Sequence, residues 1–255
     1  MTDRFPPDER GTDDRGTGGR GTQLAAAPAR PGGAKARTKR VIFLLTAEGY
    51  ARYDMQSGSA EAPTLANRQT GQAIFENSVA FTANLNLRQR QRFNLDYDPF
   101  EIRYFTSLQD ILGAMPGTDV AGGRWAAAAI VTHATFRIDQ SSKTVAGLWV
   151  TPDGVFADDL RSFAADSDPE FSAIRDRFDP AGALDIYACS GTKGDRELAC
   201  AMRAFLGLGG NVSIPRASIQ IRDGGVLYLK VSDTKYRLFD PARDVVTITA
   251  ADCGG

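Results

Sequence analysis

Histidine is nearly absent from this chain: one residue, His133, in 255. Cysteine is scarce, with three residues (Cys189, Cys200 and Cys253) and no C-x-x-C pair. A single imidazole with no paired thiols argues against a structural zinc site, and an odd cysteine count without framework spacing argues against a disulfide scaffold. Long apolar runs are missing as well. The longest, Trp125 to Val131, is far too short to cross a bilayer, and the opening MTDRFPPDER lacks the apolar core of a secretory signal peptide. A reducing, cytoplasmic setting with no membrane partner is the expectation, and a secreted effector without a cleavable signal peptide would share these traits.

A strong excess of one charge is also lacking, the formal net charge being -1. The balance conceals an asymmetry: residues 1–40 carry nine Lys/Arg against five Asp/Glu, and the remainder is mildly acidic. Such a body is poorly suited to a polyphosphate backbone, so no nucleic-acid partner is expected. Residues 1–39 hold seven Gly, four Pro and three Arg-Gly-Thr repeats, with almost no large apolar side chains, and are expected to be disordered. Gly16, Gly18 and Gly21 form a G-x-G-x-x-G match there, but no strand precedes it and no helix follows, so it implies no dinucleotide and no cofactor.

What is present is a chain with 42% hydrophobic residues, enough for one sizeable core over 40–255. Val41–Leu45, Phe100–Phe105, Trp125–Thr132, Leu184–Ala188 and Asn211–Ile214 read as strands, several of them continuous apolar runs of the kind buried in parallel sheets. A polar loop is expected from Leu45 to about Pro63. Residues 65–87 fit both a helix face and strict alternation, and a helix is favoured because parallel strands need a crossover. Helices are expected from Ser107 to Pro116, from Asp158, over Pro169–Phe178 and over Gly194–Leu206, with Gly207 as the C-cap. Leu148–Val150 and Val155–Phe156 flank a Thr-Pro-Asp-Gly turn. Residues 217–255 read as a β-rich extension of hairpins. The fold class is therefore α/β: a mainly parallel sheet covered by helices on both faces, with β-hairpin additions near the C-terminus.

Functional groups of such sheets collect at the C-terminal strand ends. His133 ends one strand and Cys189 another, and a thiol near an imidazole and a helix start is poised to become a thiolate nucleophile. Cys200 falls on the apolar side of its helix and reads as core, and Cys253 reads as an exposed tail thiol. Ser190 lacks the G-x-S-x-G setting of a serine nucleophile.

A strand ending Ile130-Val131-Thr132-His133, then a hairpin, then about fifty residues later Ile186-Tyr187-Ala188-Cys189-Ser190-Gly191, resembles the caspase–gingipain–legumain group of cysteine peptidases. CHAT domains and the self-processing peptidase domains of large bacterial toxins share the pattern. The resemblance spans roughly residues 40–217 and implies a caspase-like fold. It implies a cysteine endopeptidase acting on proteins or peptides, in which His133 is the base or ion-pair partner and Cys189 the nucleophile. The backbone N–H groups of Ala134 and Cys189 would hold the oxyanion. Many relatives have Gly after the histidine; Ala134 keeps the donor but has less backbone freedom. Ser190 and Gly191 would line the substrate site, with Arg216 and Asp223 as charged candidates for cleavage preference. Neither Asp185, within a strand, nor Asp139, in a loop, offers itself as a third member. A catalytically inactive interaction module on the same fold, or another thiol-dependent hydrolase, is the alternative.

Overall fold

The computed structural model describes residues 39–53, 61–93, 101–113, 124–150, 153–166, 169–188 and 195–254. The expected disordered tail, apart from Lys39, lies outside these residues, as do Cys189, Ser190 and Gly191.

Six strands make the central sheet: β1 (Lys39–Leu45), β2 (Glu101–Phe105), β3 (Trp125–Val131), β7 (Phe178–Tyr187), β8 (Val212–Pro215) and β12 (Val245–Ile248). Their spatial order is β12-β8-β7-β3-β1-β2. All neighbours run parallel except β12, which lies antiparallel to β8. The direction of growth reverses between β1 and β3, and at such switch points the loops leaving neighbouring strand ends diverge and open a crevice. The last strand of the expected β-rich extension, 217–255, thus joins the edge of the central sheet. Arg237, on β11 (Lys235–Leu238), grips the buried Asp244 carboxylate with two hydrogen bonds of 2.5 and 2.6 Å. That pair, which holds the Asp244 carboxyl below its usual range, lies just before β12 and helps direct the chain back to the sheet edge.

Side chains alternate between two apolar layers, as period-2 strands require. Ile42, Leu44, Ala129 and Val131 pack with Phe81 of α2 (Leu65–Phe93) and with Ile219, Leu227 and Leu229. The latter three belong to a separate antiparallel sheet of β9 (Ile219–Arg222), β10 (Val226–Ser232) and β11. Val41, Phe43, Ala128, Ile130, Leu184 and Ile186 face the other layer. There they meet Leu160 of α4 (Ala157–Ala165) and Ala199, Met202 and Phe205 of α6 (Asp195–Phe205). Helices α3 (Leu108–Gly113) and α5 (Pro169–Arg175) complete that side through Ile111 and Ile174. Gly207 follows α6 with φ +65°, the left-handed geometry expected of its cap.

Three departures bear on the site. Within the expected loop after Leu45 the chain forms α1 (Ala47–Tyr53). Ala134–Ile138 forms a strand, β4, which pairs antiparallel with β5 (Thr144–Leu148). β5 in turn pairs with the short β6 (Val155–Phe156). Finally, Cys200 and Cys253 are joined in a disulfide, with Cα atoms 5.4 Å apart. Both are half-buried beside the core, so Cys200 is not an inert core thiol and Cys253 is not free. An odd count of three leaves room for one bond, and that bond leaves Cys189 as the one cysteine it does not use.

Candidate functional site

β3 and β7 are adjacent and parallel, with Ala129 opposite Asp185, Ile130 opposite Ile186 and Val131 opposite Tyr187. The Thr132 N–H donates to the Tyr187 carbonyl at 3.2 Å, carrying the pairing one residue further. His133 follows the last common rung by two residues. Cys189 follows it by two residues in sequence on the other strand, outside the described part.

The imidazole sits in an aromatic enclosure that α1 builds. Thr46 caps this helix, its Oγ1 accepting the Gly49 N–H at 3.2 Å. α1 can lie close on α2 because Gly71 has no side chain: a Cβ there would stand 2.5 Å from the Ala51 nitrogen and 2.6 Å from the Ala47 oxygen. Tyr50 and Tyr53, three residues apart, share one helix face. Tyr53 stacks on the His133 ring with centroids 3.9 Å apart and planes 19° from parallel, and Tyr50 meets it edge-on at 5.2 Å. Trp149 packs edge-on against Tyr53 at 5.5 Å and donates from Nε1 to the Gly49 carbonyl at 2.9 Å, tying the hairpin to α1.

The consequence for His133 is electrostatic. Its Nε2 is buried and, among the described residues, has no hydrogen-bond partner. Burial disfavours the imidazolium and pushes the pKa from 6.5 down to about 4. At neutral pH the ring is therefore uncharged, with a nitrogen still available.

The next residue, Ala134, faces Leu148 across the ladder. The Trp149 N–H donates to the His133 carbonyl at 2.8 Å, which makes Ala134–Leu148 a pair without mutual hydrogen bonds. Both backbone groups of Ala134 therefore point away from β5. Its carbonyl accepts the Tyr53 hydroxyl at 3.2 Å. Its N–H has no acceptor among the described residues.

The other candidates separate. Asp185 lies in mid-strand opposite Ala129, four residues before His133 and so roughly 13 Å back along the strand. Burial raises its pKa, and it pairs with Ser213. Asp139 accepts from the Ser141 and Lys143 N–H groups at 2.9 and 2.8 Å and holds the β4–β5 turn. Arg216 is exposed one residue beyond β8, at the same end of the sheet as His133. Asp223 lies in the turn between β9 and β10 and lines a different depression, of about 630 Å³, with Thr70, Ile74, Asn77 and Arg222. Neither His133 nor Ala134 borders it. Among the described residues no three His, Cys, Asp or Glu side chains gather to hold a metal. Tyr50, Tyr53 and Trp149 do not stand out in the sequence. The only signal is the Tyr-x-x-Tyr spacing after Gly49, legible only once a helix is assumed.

No helix among the described residues is long and apolar enough to cross a membrane. No protein-family model matches the chain. No curated protein matches it either. Among solved structures it is similar to the crystal structure of protein GSU0716 from Geobacter sulfurreducens, at 11% identity over 75% of each chain with a TM-score of 0.36.

Proposed function

We propose that the chain is a caspase-like cysteine endopeptidase in which His133 and Cys189 act as a dyad on protein or peptide substrates. The observation that carries this reading is the β3–β7 register: the chain's only histidine and its one cysteine outside the disulfide each follow the Val131–Tyr187 rung by two residues. In the proposed reaction the Cys189 thiol passes its proton to the available imidazole nitrogen as sulfur attacks the peptide carbonyl. The oxyanion is held by the outward N–H of Ala134 together with that of Cys189. The proton then goes to the leaving amine as the C–N bond breaks. Water hydrolyses the thioester, losing its proton to His133 and restoring the thiol. With a pKa near 4, His133 would rest as a neutral base beside a thiol rather than as half of an ion pair. Ser190, Gly191 and Arg216 belong to the substrate site in this reading, and no nucleic-acid partner is included. Asp223 is left out because it borders another depression. The disulfide favours the secreted alternative over a cytoplasmic one, since such bonds persist in oxidising compartments.

The low imidazole pKa and its close aromatic cover favour a second reading, a catalytically inactive module on the same fold, because so weak a base deprotonates a thiol poorly. A thiol-directed covalent probe separates the two. Active-centre chemistry requires site-specific labelling at Cys189 that fails in Cys189→Ala and slows strongly in His133→Ala. A Cys189 that labels no faster than a free thiol favours the inactive module.

A further inference from the structure

Among the described residues β4 is an unpaired edge strand of β6-β5-β4, beginning at the candidate site. The antiparallel pairing that turns Ala134 outward repeats every second residue, so Phe136, opposite Ala146, and Ile138, opposite Thr144, also direct their N–H and C=O groups away from β5. The Asp139 N–H bond to the Lys143 carbonyl, 2.9 Å, continues the same phase. Among the described residues neither Phe136 nor Ile138 has a partner for these groups. Their side chains project together and are 63% and 69% exposed. Natural edge strands are usually blunted by charge, proline or a covering segment; this edge instead presents two large apolar side chains and two unused donor–acceptor pairs.

The strand is also held rigid from its other face. Arg137 lies over the Phe156 ring at 4.3 Å and pairs with Asp158 at 2.6 Å, while Lys143 pairs with Glu197 of α6. The edge is therefore preorganised, and its occupant meets little ordering cost on the protein side. Five residues are too few to bury the roughly 1,200 Å² of a stable dimer, which argues for a transient, single-stranded occupant. The edge is continuous with Ala134, whose N–H points the same way about 7 Å, or two residues, from that of Phe136.

Resting on the peptidase reading above, we infer that the β4 edge receives an extended stretch of the polypeptide substrate. That stretch would add as a fourth strand to β6-β5-β4 and place alternate apolar side chains against Phe136 and Ile138. The substrate class is thus an unfolded or extended segment with apolar residues at every second position near the cut. The test uses the full-length Cys189→Ala protein, which cannot turn substrate over, and fluorescein-labelled casein as a disordered polypeptide probe. Phe136→Pro and Ile138→Pro each remove one outward donor without touching the β5 ladder, a tolerated position for proline. Each is expected to weaken casein binding about fivefold, the size of one net hydrogen bond. Phe136→Ser with Ile138→Ser, which keeps the backbone donors, should weaken it further through lost apolar contact. Hydrogen exchange at the Phe136 and Ile138 amides should slow when casein is added. Equal binding by the proline variants, no binding by Cys189→Ala, or no change in exchange would overturn the inference. So would a protein mass that doubles with concentration and is restored to one chain by Ile138→Pro, since that assigns the edge to a second copy. Labelling of Cys189 by a small haloacetamide in the proline variants reads the dyad separately. If it is absent in the wild type too, the peptidase reading fails while the edge result stands independently.

Discussion

Two of the polar groups among the described residues lie against pairs of tyrosines, and they differ in burial and in hydrogen bonding. His133 lies between Tyr53 and Tyr50, and Arg222 lies over Tyr228 and Tyr236 at 4.6 and 4.8 Å. The geometries are alike but the hydrogen bonding differs. Arg222 is solvent-exposed, and its Nε donates to the Gln220 side-chain oxygen at 3.0 Å. The tyrosines there brace a surface cation at the rim of the α2 depression. His133 is driven neutral by burial and keeps a buried nitrogen without a partner among the described residues. A buried polar atom left unsatisfied costs about 1–3 kcal/mol. Aromatic contact alone therefore says little; what sets His133 apart from Arg222 is a buried, titratable nitrogen with no partner among the described residues.

The sharpest way to break the contrast is to remove the two groups in parallel. On the proposed peptidase reading, His133→Ala is expected to lower the rate of peptide cleavage by about a thousandfold or more, while Arg222→Ala should leave it within about twofold. Equal losses would erase the distinction. Next in size is acid stability. His133 binds its proton near pH 6.5 when unfolded and only near pH 4 when folded, so the unfolded state holds more protons in between. The contribution of the neutral ring is complete above about pH 6.5 and is lost as pH falls towards 4, by at most about 3 kcal/mol. Denaturant titrations of wild type and His133→Gln across that window should diverge, because carboxylate effects are common to both; Arg222→Gln should track the wild type. A parallel course for His133→Gln would show that the imidazole is not buried neutral.

A third test opens the enclosure. Tyr53→Ala admits water to the ring, and the imidazole resonances, which belong to one residue because the chain has one histidine, should titrate closer to 6.5. Tyr53→Phe keeps the stack and removes the hydroxyl that donates to the Ala134 carbonyl, so it should leave the titration in place and cost about 1 kcal/mol of stability. The smallest effect is expected at Arg222→Ala, about 0.5–1 kcal/mol in thermal or chemical unfolding, as for an exposed cation over aromatic rings.

Much of the central sheet is legible in the chain, because β1 and β3 are apolar runs largely buried on both faces, as the inner strands of a parallel sheet should be. Those runs are enough to put His133 at a strand end. The end of the Cys189 strand reads in the same way and lies at the limit of the described residues. What is not legible depends on contacts distant in sequence. α1 has seven residues, under two turns, too few to show periodicity. β4 is half exposed, with Phe136 and Ile138 on its outer face, so no inward alternation marks it. The tyrosine enclosure needs α1 laid on α2, which turns on the missing side chain of Gly71. β12 resembles one more hairpin strand because nothing local distinguishes it from β9–β11; the Arg237–Asp244 pair is a tertiary event. The disulfide joins cysteines 53 residues apart, and counting parity does not reveal it.

Joint action of His133 and Cys189 is tested most directly by alkylating Cys189 with a haloacetamide as a function of pH and reading the product by peptide mass spectrometry. The wild type is expected to label at Cys189 faster than a free thiol at neutral pH, and His133→Gln to slow that labelling by at least about tenfold. Identical rates and pH profiles for the two proteins would contradict it.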